Sequence, residues 1–343
     1  MKIILDAMGG DNAPEAVVLG AVDAAKNFNT EIILVGRGEE ILAAMKKNGI
    51  SDLPAGVAIA NADDVVDMHD DPAAVLHKRK NSSMVVGLKM LAEGQGDAFV
   101  SAGSTGALLT AATLVVKRVK GIRRAAMAPA FPNKAGGKTI ICDCGANAEC
   151  TPEFLLQFAI VGSLHAKKSL GIQNPRVGLL NIGAEDSKGT ALQLATYPML
   201  VDAHEKGLIN FIGNVEARQV PLGEVDVVVC DGFSGNVLLK SIEGTAMFLG
   251  STISAMFKKS IVSKLAAMLV MKDIKAFKKL LDYREIGGTQ FVGIKKPVIK
   301  AHGSSDARAF YNAVRQAVDA ANNNTAEELE IALKQIAAAK EKA

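Results

Sequence analysis

Three short segments carry side chains suited to handling an anion. The loop GAEDSKG (183–189) crowds Glu185, Asp186 and Lys188 into one tight turn. Either this is a solvated turn with a local ion pair, or Lys188 supplies the formal positive charge that backbone amides lack. In DGFSGN (231–236), Asn236 is placed either to cap the next helix or to donate its amide to a developing oxyanion. HGSSD (302–306) reads as an ordinary N-cap cluster, or as two hydroxyls beside His302 that suit a phosphate.

Other signatures fail on spacing. AGGKT (135–139) resembles a phosphate-binding loop, but Pro132 stands where the first glycine is required, and the segment precedes a strand instead of following one. No G-x-G-x-x-G opens a helix after the first strand, so the dinucleotide fingerprint is absent. Cys142, Cys144 and Cys150 lack zinc-site spacing and have no neighbouring His. Cys142 and Cys144 are expected on one face of a strand as small hydrophobes, and Cys230 as a buried strand-end residue. No metal site is expected.

The elements that must position these residues repeat one design. Seven times an apolar run stops at Gly, Ser, Asn and Asp: at KIILDAMGGDNAPE (2–15), AFVSAGSTGA (98–107), IICDCGANAE (140–149), VGLLNIGAEDSKGT (177–190), INFIGNVEAR (209–218), VVVCDGFSGN (227–236) and VIKAHGSSDA (298–307). Each predicts a buried strand, a sharp turn and a helix start. Helix N-termini offer unpaired N–H groups and a positive dipole end. Seven such turns at the carboxyl ends of strands describe a crevice lined with anion-ready backbone.

EIILVG (31–36) and GVAIAN (56–61) read as two further strands, and APEAVVLGAVDAAKNF (13–28), NSSMVVGLKMLAEG (81–94) and TPEFLLQFAIVGSLHAKK (151–168) as helices. Beyond AHGSSD the chain is helical to its end, with Thr325 and Glu328 at capping-box spacing. The alternation predicts an α/β protein with a largely parallel sheet. At 343 residues the chain is long enough for a substantial core. A net charge of +3, no Trp and three Tyr argue against nucleic acid. Met1 leads straight into a strand, no apolar run is long enough to span a bilayer, and four Cys form no disulfide framework; a cytoplasmic protein is expected.

The segment 254–281 stands outside the alternation. It carries seven Lys against the single acid Asp273, interleaved with Met, Leu, Ile and Phe, and reads as one or two amphipathic helices. A surface hairpin, a dimer contact and an element lying on an anionic membrane all fit this pattern. The basic clusters HKRK (77–80) and KRVKGIRR (117–124) are solvated faces by default, and would also suit an acidic protein partner.

DAMGGDNAPE, KNSSM (80–84), SAGSTGAL (101–108), NIGAEDSKG (181–189), FIGNVEAR (211–218), DGFSGNV (231–237) and KAHGSSD (300–306) together resemble the phosphate acyltransferases of bacterial phospholipid synthesis, in family order from Met1 to about residue 320. The resemblance implies transfer of a fatty acyl group from acyl-acyl carrier protein to inorganic phosphate. The acyl phosphate formed would serve glycerol-3-phosphate acylation. It implies a three-layer α/β/α fold similar to phosphotransacetylase and isocitrate-type dehydrogenases. It further implies a homodimer, peripheral membrane association, and no metal or organic cofactor. Residues 1–343 would form one catalytic domain, with an amphipathic helical hairpin (254–283) protruding from it.

Carried onto this chain, the family's catalytic Lys and Asn fall on Lys188 and Asn236. The surrounding anion site would draw Gly9, Gly10 and Asp11 from the first turn, and Ser104, Thr105 and Gly106 from the second. Asn147, Asp231, His302, Gly303 and Ser304 would complete it. Leu265, Met268 and Leu269 would touch the membrane, where the membrane-bound glycerol-3-phosphate acyltransferase is a candidate partner. Two departures are visible: Asn12 stands where the family usually has His, and Cys142 and Cys144 where it has aliphatic residues. The rivals are a phosphotransacetylase, a metal- and nicotinamide-dependent dehydrogenase of the same fold, and a non-enzymatic anion-binding protein.

Overall fold

The computed structural model describes residues 1–323 and 325–340, apart from the side chains of residues 275, 278–281, 283 and 335–340. Strand β1 (Lys2–Asp6) is buried from Ile3 onward, the continuous apolar run of a strand covered on both faces. It pairs in parallel with β2 (Glu31–Gly36), which pairs with β3 (Val57–Asn61), and on its other side with β4 (Ala98–Ser101). The remaining strands are β5 (Ala126–Met127), β6 (Ala130–Pro132), β7 (Lys138–Cys142), β8 (Arg176–Leu180), β9 (Asn210–Val215), β10 (Val227–Val229), β11 (Gly288–Val292) and β12 (Val298–Ala301).

These strands form two sheets, where the alternation alone predicts one. The first has seven strands in the order β3-β2-β1-β4-β12-β11-β5, and the second five in the order β6-β7-β10-β8-β9. β11 runs against both of its neighbours and β6 against β7; the other pairings are parallel. AGGKT spans the end of the tight connection between antiparallel β6 and β7 and the first two residues of β7, which is no place for a phosphate-binding loop.

Helices cover both faces of each sheet. α1 (Glu15–Phe28), α2 (Gly38–Lys47) and the late helix α13 (Ala307–Asn323) bury Val17, Met45 and Phe310 against Ile3 and Leu5. After the single turn α3 (Val75–Lys78), α4 (Ser83–Ala92) and α5 (Thr105–Ala111) bury Met84 and Leu108 against Ile4 and Phe99 on the opposite face. On the second sheet, α6 (Pro152–Leu170) and α7 (Ala191–Glu205) pack over Ile140, Val177 and Val227. α8 (Gln219–Leu222) and the start of α9 (Gly232–Lys258) cover Ile141 and Val228 from the other side. The chain then forms α10 (Ile261–Leu269), α11 (Met271–Leu281) and α12 (Tyr283–Ile286), and ends in α13 (Ala307–Asn323) and α14 (Thr325–Lys340).

One local expectation changes. Cys142 packs on the α6 side while Cys144 joins Cys230 and Leu238 on the α9 side, because β7 ends at Cys142 and the chain turns at Asp143. Thr325 and Glu328 of the expected capping box both fall in α14, and Glu328 binds Lys168 at 2.5 Å. Residue 324, next to Thr325, lies outside the described residues, as do 341–343 of the expected terminal helix.

Candidate active site

All seven expected turns follow strands and lead to helices, and the parallel strands of each sheet carry them to a common carboxyl edge. At the end of β1 the Asp6 carboxylate is buried and accepts bonds from Ser83 Oγ at 2.6 Å, Ser101 Oγ at 2.7 Å and the Met8 N–H at 3.2 Å. Burial pushes its pKa above the ordinary carboxylate value, against the pull of these bonds. Gly10 has φ +101°, and a Cβ there would sit 2.8 Å from Ala102 Cβ and 3.0 Å from the Gly303 carbonyl, so only glycine fits. Asp11 N–H then donates to the Gly303 carbonyl at 2.8 Å, and the Asn12 amide to the carbonyls of Ser304 and Ser305, each at 3.2 Å. The first and last turns are thus stitched together, and Asn12 is one of the stitches.

The second sheet contributes a matching brace. Asp143, buried after β7, accepts from the backbone N–H of Met127 (2.8 Å), Cys144 (2.7 Å) and Asn147 (2.6 Å). The Asn147 amide donates to Asp143 and to the Ala125 carbonyl, while its own carbonyl accepts from Gly232 N–H at 2.7 Å. Asn147 therefore anchors the start of α9. Asp231 caps that helix, accepting from the N–H and the hydroxyl of Ser234, both at 2.8 Å. With Asp231 as the cap, Asn236 is left to present its side chain elsewhere.

It faces a cavity of about 540 Å³ between the two sheets. Asp11, Thr105, Asn236, His302, Gly303 and Ser304 line it, drawn from four of the turns. Met68, Met127, Phe131, Leu239 and Ile286 supply apolar wall. His302 Nδ1 pairs with Ser304 Oγ at 2.9 Å, and its pKa is held down by partial burial and then by the charges of Lys240 and Lys300. Asp306 bonds the Ala309 N–H at 3.0 Å and thus serves the cap of α13, leaving 302–304 to the cavity. Cys144 also lines the cavity, but burial and the neighbouring Asp143 push its thiol up to about 12, which makes it a poor nucleophile.

Other predicted residues stand back from this wall. Gly9 presses on Asp6, and a Cβ there would lie 2.5 Å from its carboxylate. Ser104 is the buried N-cap residue of α5, and Gly106 faces Pro72. Lys188 sits in the exposed loop after β8, beside β10 in the sheet, with its backbone held by Glu185 and Asn181. It shares the carboxyl edge with Asn236 but does not line the cavity.

Sequence reasoning missed two cavity cations. Lys240 lies four residues beyond Asn236 on α9, on the same face, and pairs with Glu243 at 2.7 Å. Lys300 belongs to a strand buried throughout, VIKA, and is itself only 9% exposed. A lysine inside an apolar strand was the available signal.

Among the described residues no three His, Cys, Asp or Glu side chains are grouped to hold a metal ion, and no helix is long and apolar enough to cross a membrane. Ser254 lies within α9, whose outer half packs with α10 and α11 around an apolar groove of about 570 Å³ lined by Ile253, Phe257, Ala267, Ile274 and Phe277. Leu265, Met268 and Leu269 on α10 are 54%, 61% and 88% exposed. Of the seven lysines, the side chains of Lys275, Lys278 and Lys279 lie outside the described residues.

Two mostly parallel sheets with helices on both faces define a class of three-layer α/β/α proteins. The phosphotransacetylase from Streptococcus pyogenes has this fold (TM-score 0.61, 20% identity, 96% of this chain and 94% of that one). So does the 4-hydroxythreonine-4-phosphate dehydrogenase from Klebsiella pneumoniae (TM-score 0.52, 11% identity, 94% and 98%). Within that class, the chain belongs to the fatty acid synthesis protein family, which it matches over residues 1–328. It is 45% identical over 317 residues to the phosphate acyltransferase of Thermoanaerobacterium thermosaccharolyticum (92% of each chain). To that of Bacillus licheniformis it is 44% identical over 336 residues (98% of this chain, 99% of that one).

Proposed function

We propose that this protein transfers a fatty acyl group from acyl-acyl carrier protein to inorganic phosphate, releasing the carrier thiol and forming acyl phosphate. One observation carries the reading. The cavity that gathers Asn236 and the 302–304 turn belongs to a chain that matches phosphate acyltransferases along nearly its whole length. Phosphate is itself the nucleophile, so no Ser or Cys is needed: a phosphate oxygen attacks the thioester carbon, the C–S bond breaks and a thiolate leaves. The protein's task is to hold phosphate against the carbonyl and stabilise the tetrahedral oxyanion.

In this reading Asn236 donates to the oxyanion from the wall of the cavity, and Lys188 adds positive charge from the neighbouring loop. Asp11, Thr105, His302, Gly303 and Ser304 receive phosphate. Gly9, Gly10, Ser104, Gly106, Asn147 and Asp231 fix the turns that carry these groups. Residues 1–343 act as one catalytic unit, and the 254–283 hairpin, with Leu265, Met268 and Leu269 exposed on α10, meets the membrane surface. A second copy of the chain completes a homodimer.

Thiol release from acyl-acyl carrier protein, with and without phosphate and in the presence of chelator, tests the reading. Phosphate-dependent, chelator-resistant release is expected. Nicotinamide reduction that needs a metal would overturn it in favour of the dehydrogenases of this fold. Phosphate binding without thiol loss would leave an anion-binding protein.

A further inference from the structure

We propose that Lys300, a residue with no part in the reading above, is the cation that grips phosphate at the floor of the cavity. The inference rests on the acyl-transfer reading and identifies the group that recognises its nucleophile. Lys300 is 9% exposed, yet it forms part of the cavity wall between Thr289 of β11 and Ser101 of β4, its partners in the sheet. Its ammonium donates to the carbonyls of Ala102, at 3.2 Å, and Ala301. Both acceptors are neutral strand-end carbonyls, so the hydrogen bonds fix the ammonium without neutralising it. An ammonium has three donors, and two are spent.

The charged groups facing it are Asp6 from β1, Asp11 from the turn after β1, His302 from its own turn, and Lys240 with Glu243 from α9. The Asp6 oxygens are occupied by Ser83, Ser101 and Met8, and Glu243 is paired with Lys240. A buried cation whose hydrogen bonds go only to carbonyls is costly, and the charges of Asp6 and Asp11 offset only part of the desolvation. A dianion in the cavity would remove that cost, and the adjoining backbone of 302–304 and Thr105 belongs to helix-start turns suited to anions. Burial lowers the Lys300 pKa to about 8, opposed by the charges of Asp6 and Asp11, so the cation is present at neutral pH and lost above it. Lys188, exposed and away from the wall, does not compete for this role.

The test uses the full chain with Lys300→Met. The KM for phosphate is expected to rise about 10- to 100-fold, the loss of one charge-assisted contact, with the KM for acyl-acyl carrier protein unchanged. An unchanged phosphate KM overturns the inference and leaves the acyl-transfer reading standing. Phosphorus-31 line broadening of inorganic phosphate measures binding without turnover. Broadening by the wild type that vanishes in the variant supports Lys300 even where no thiol is released, an outcome that sinks only the acyl-transfer reading.

Should the variant fail to fold, the wild-type enzyme decides by competition with sulfate, which stays a dianion over the range and so reports the protein alone. Sulfate inhibition is expected to weaken through a midpoint near 8. A flat profile refutes the proposal.

Discussion

Gly235 sits one residue before Asn236, where α9 presses on the end of β7, and it should not tolerate even a methyl group. A Cβ at this position would lie 2.0 Å from the Asp143 carbonyl oxygen and 2.9 Å from Cys230 Sγ. A carbon and a carbonyl oxygen approach to about 3.3 Å at closest, so α9 must back away by roughly 1.3 Å. The obstacle is backbone, fixed by Asp143's own bonds to Met127, Cys144 and Asn147, so the helix is what yields. Overpacking of this kind costs about 1–3 kcal/mol. Asn236 rides on the displaced turn, and an error of about 1 Å in a positioned group costs on the order of 100-fold in turnover. Gly235→Ala is therefore expected to lower both the urea midpoint and kcat. Gly244→Ala on the same helix meets nothing within 4 Å and should gain about 0.5–1 kcal/mol, because alanine is the better helix former. Thiol release and urea denaturation on the two variants make the comparison. If Gly235→Ala matched the wild type in both, the packing argument and the placement of Asn236 would be wrong.

Three further outcomes are expected. Lys188→Ala should lower kcat by about 100-fold or more with its thermal midpoint unchanged, since the residue is exposed and bears only charge; near-normal turnover removes it from the mechanism. Replacing Leu265, Met268 and Leu269 together by Ser should abolish flotation with anionic liposomes, and undiminished flotation would place membrane contact elsewhere. His165 is buried in α6 against Ser169, and desolvation holds its pKa down to about 4. The unfolded chain, titrating near the ordinary 6.5, then binds the extra proton between those values. Stability is full above pH 6.5, falls by up to about 3 kcal/mol as pH drops toward 4, and levels off below it. Urea midpoints measured from pH 7 to 4 should show that fall, and His165→Gln should flatten it; equal slopes in the two proteins would sink the assignment.

Much of the site was legible before the fold was. Each strand-turn-helix unit is local, written in a mostly apolar strand of three to six residues and the Gly, Ser and Asp that follow it, and all seven stand where they were read. Asp231 and Asn236 lie in one turn, but only the observed cap separates their roles: Asp231 takes the Ser234 N–H, and Asn236 turns to the cavity. Asn147 was legible as a strand-end amide, but the brace it makes to the Ala125 carbonyl was not, because Ala125 belongs to a different segment. Cys144 shows the same limit. Strand alternation placed it with Cys142, and the turn at Asp143 sends it to the other face.

The sequence by itself determined the family and the strand-turn-helix units, since propensity, capping and glycine turns act over a few residues. Tertiary structure decided which units meet. The chain divides into two sheets, and β12 lies beside β4, bringing Lys300 to the carbonyl of Ala102 across 198 positions. Strand order is a long-range property, settled by which faces bury the most apolar surface together and not by any local signal. For that reason Lys188 could be read as a charge in a turn, while the lysine of VIKA acquired its carbonyl partners and its cavity only once the strands had come together.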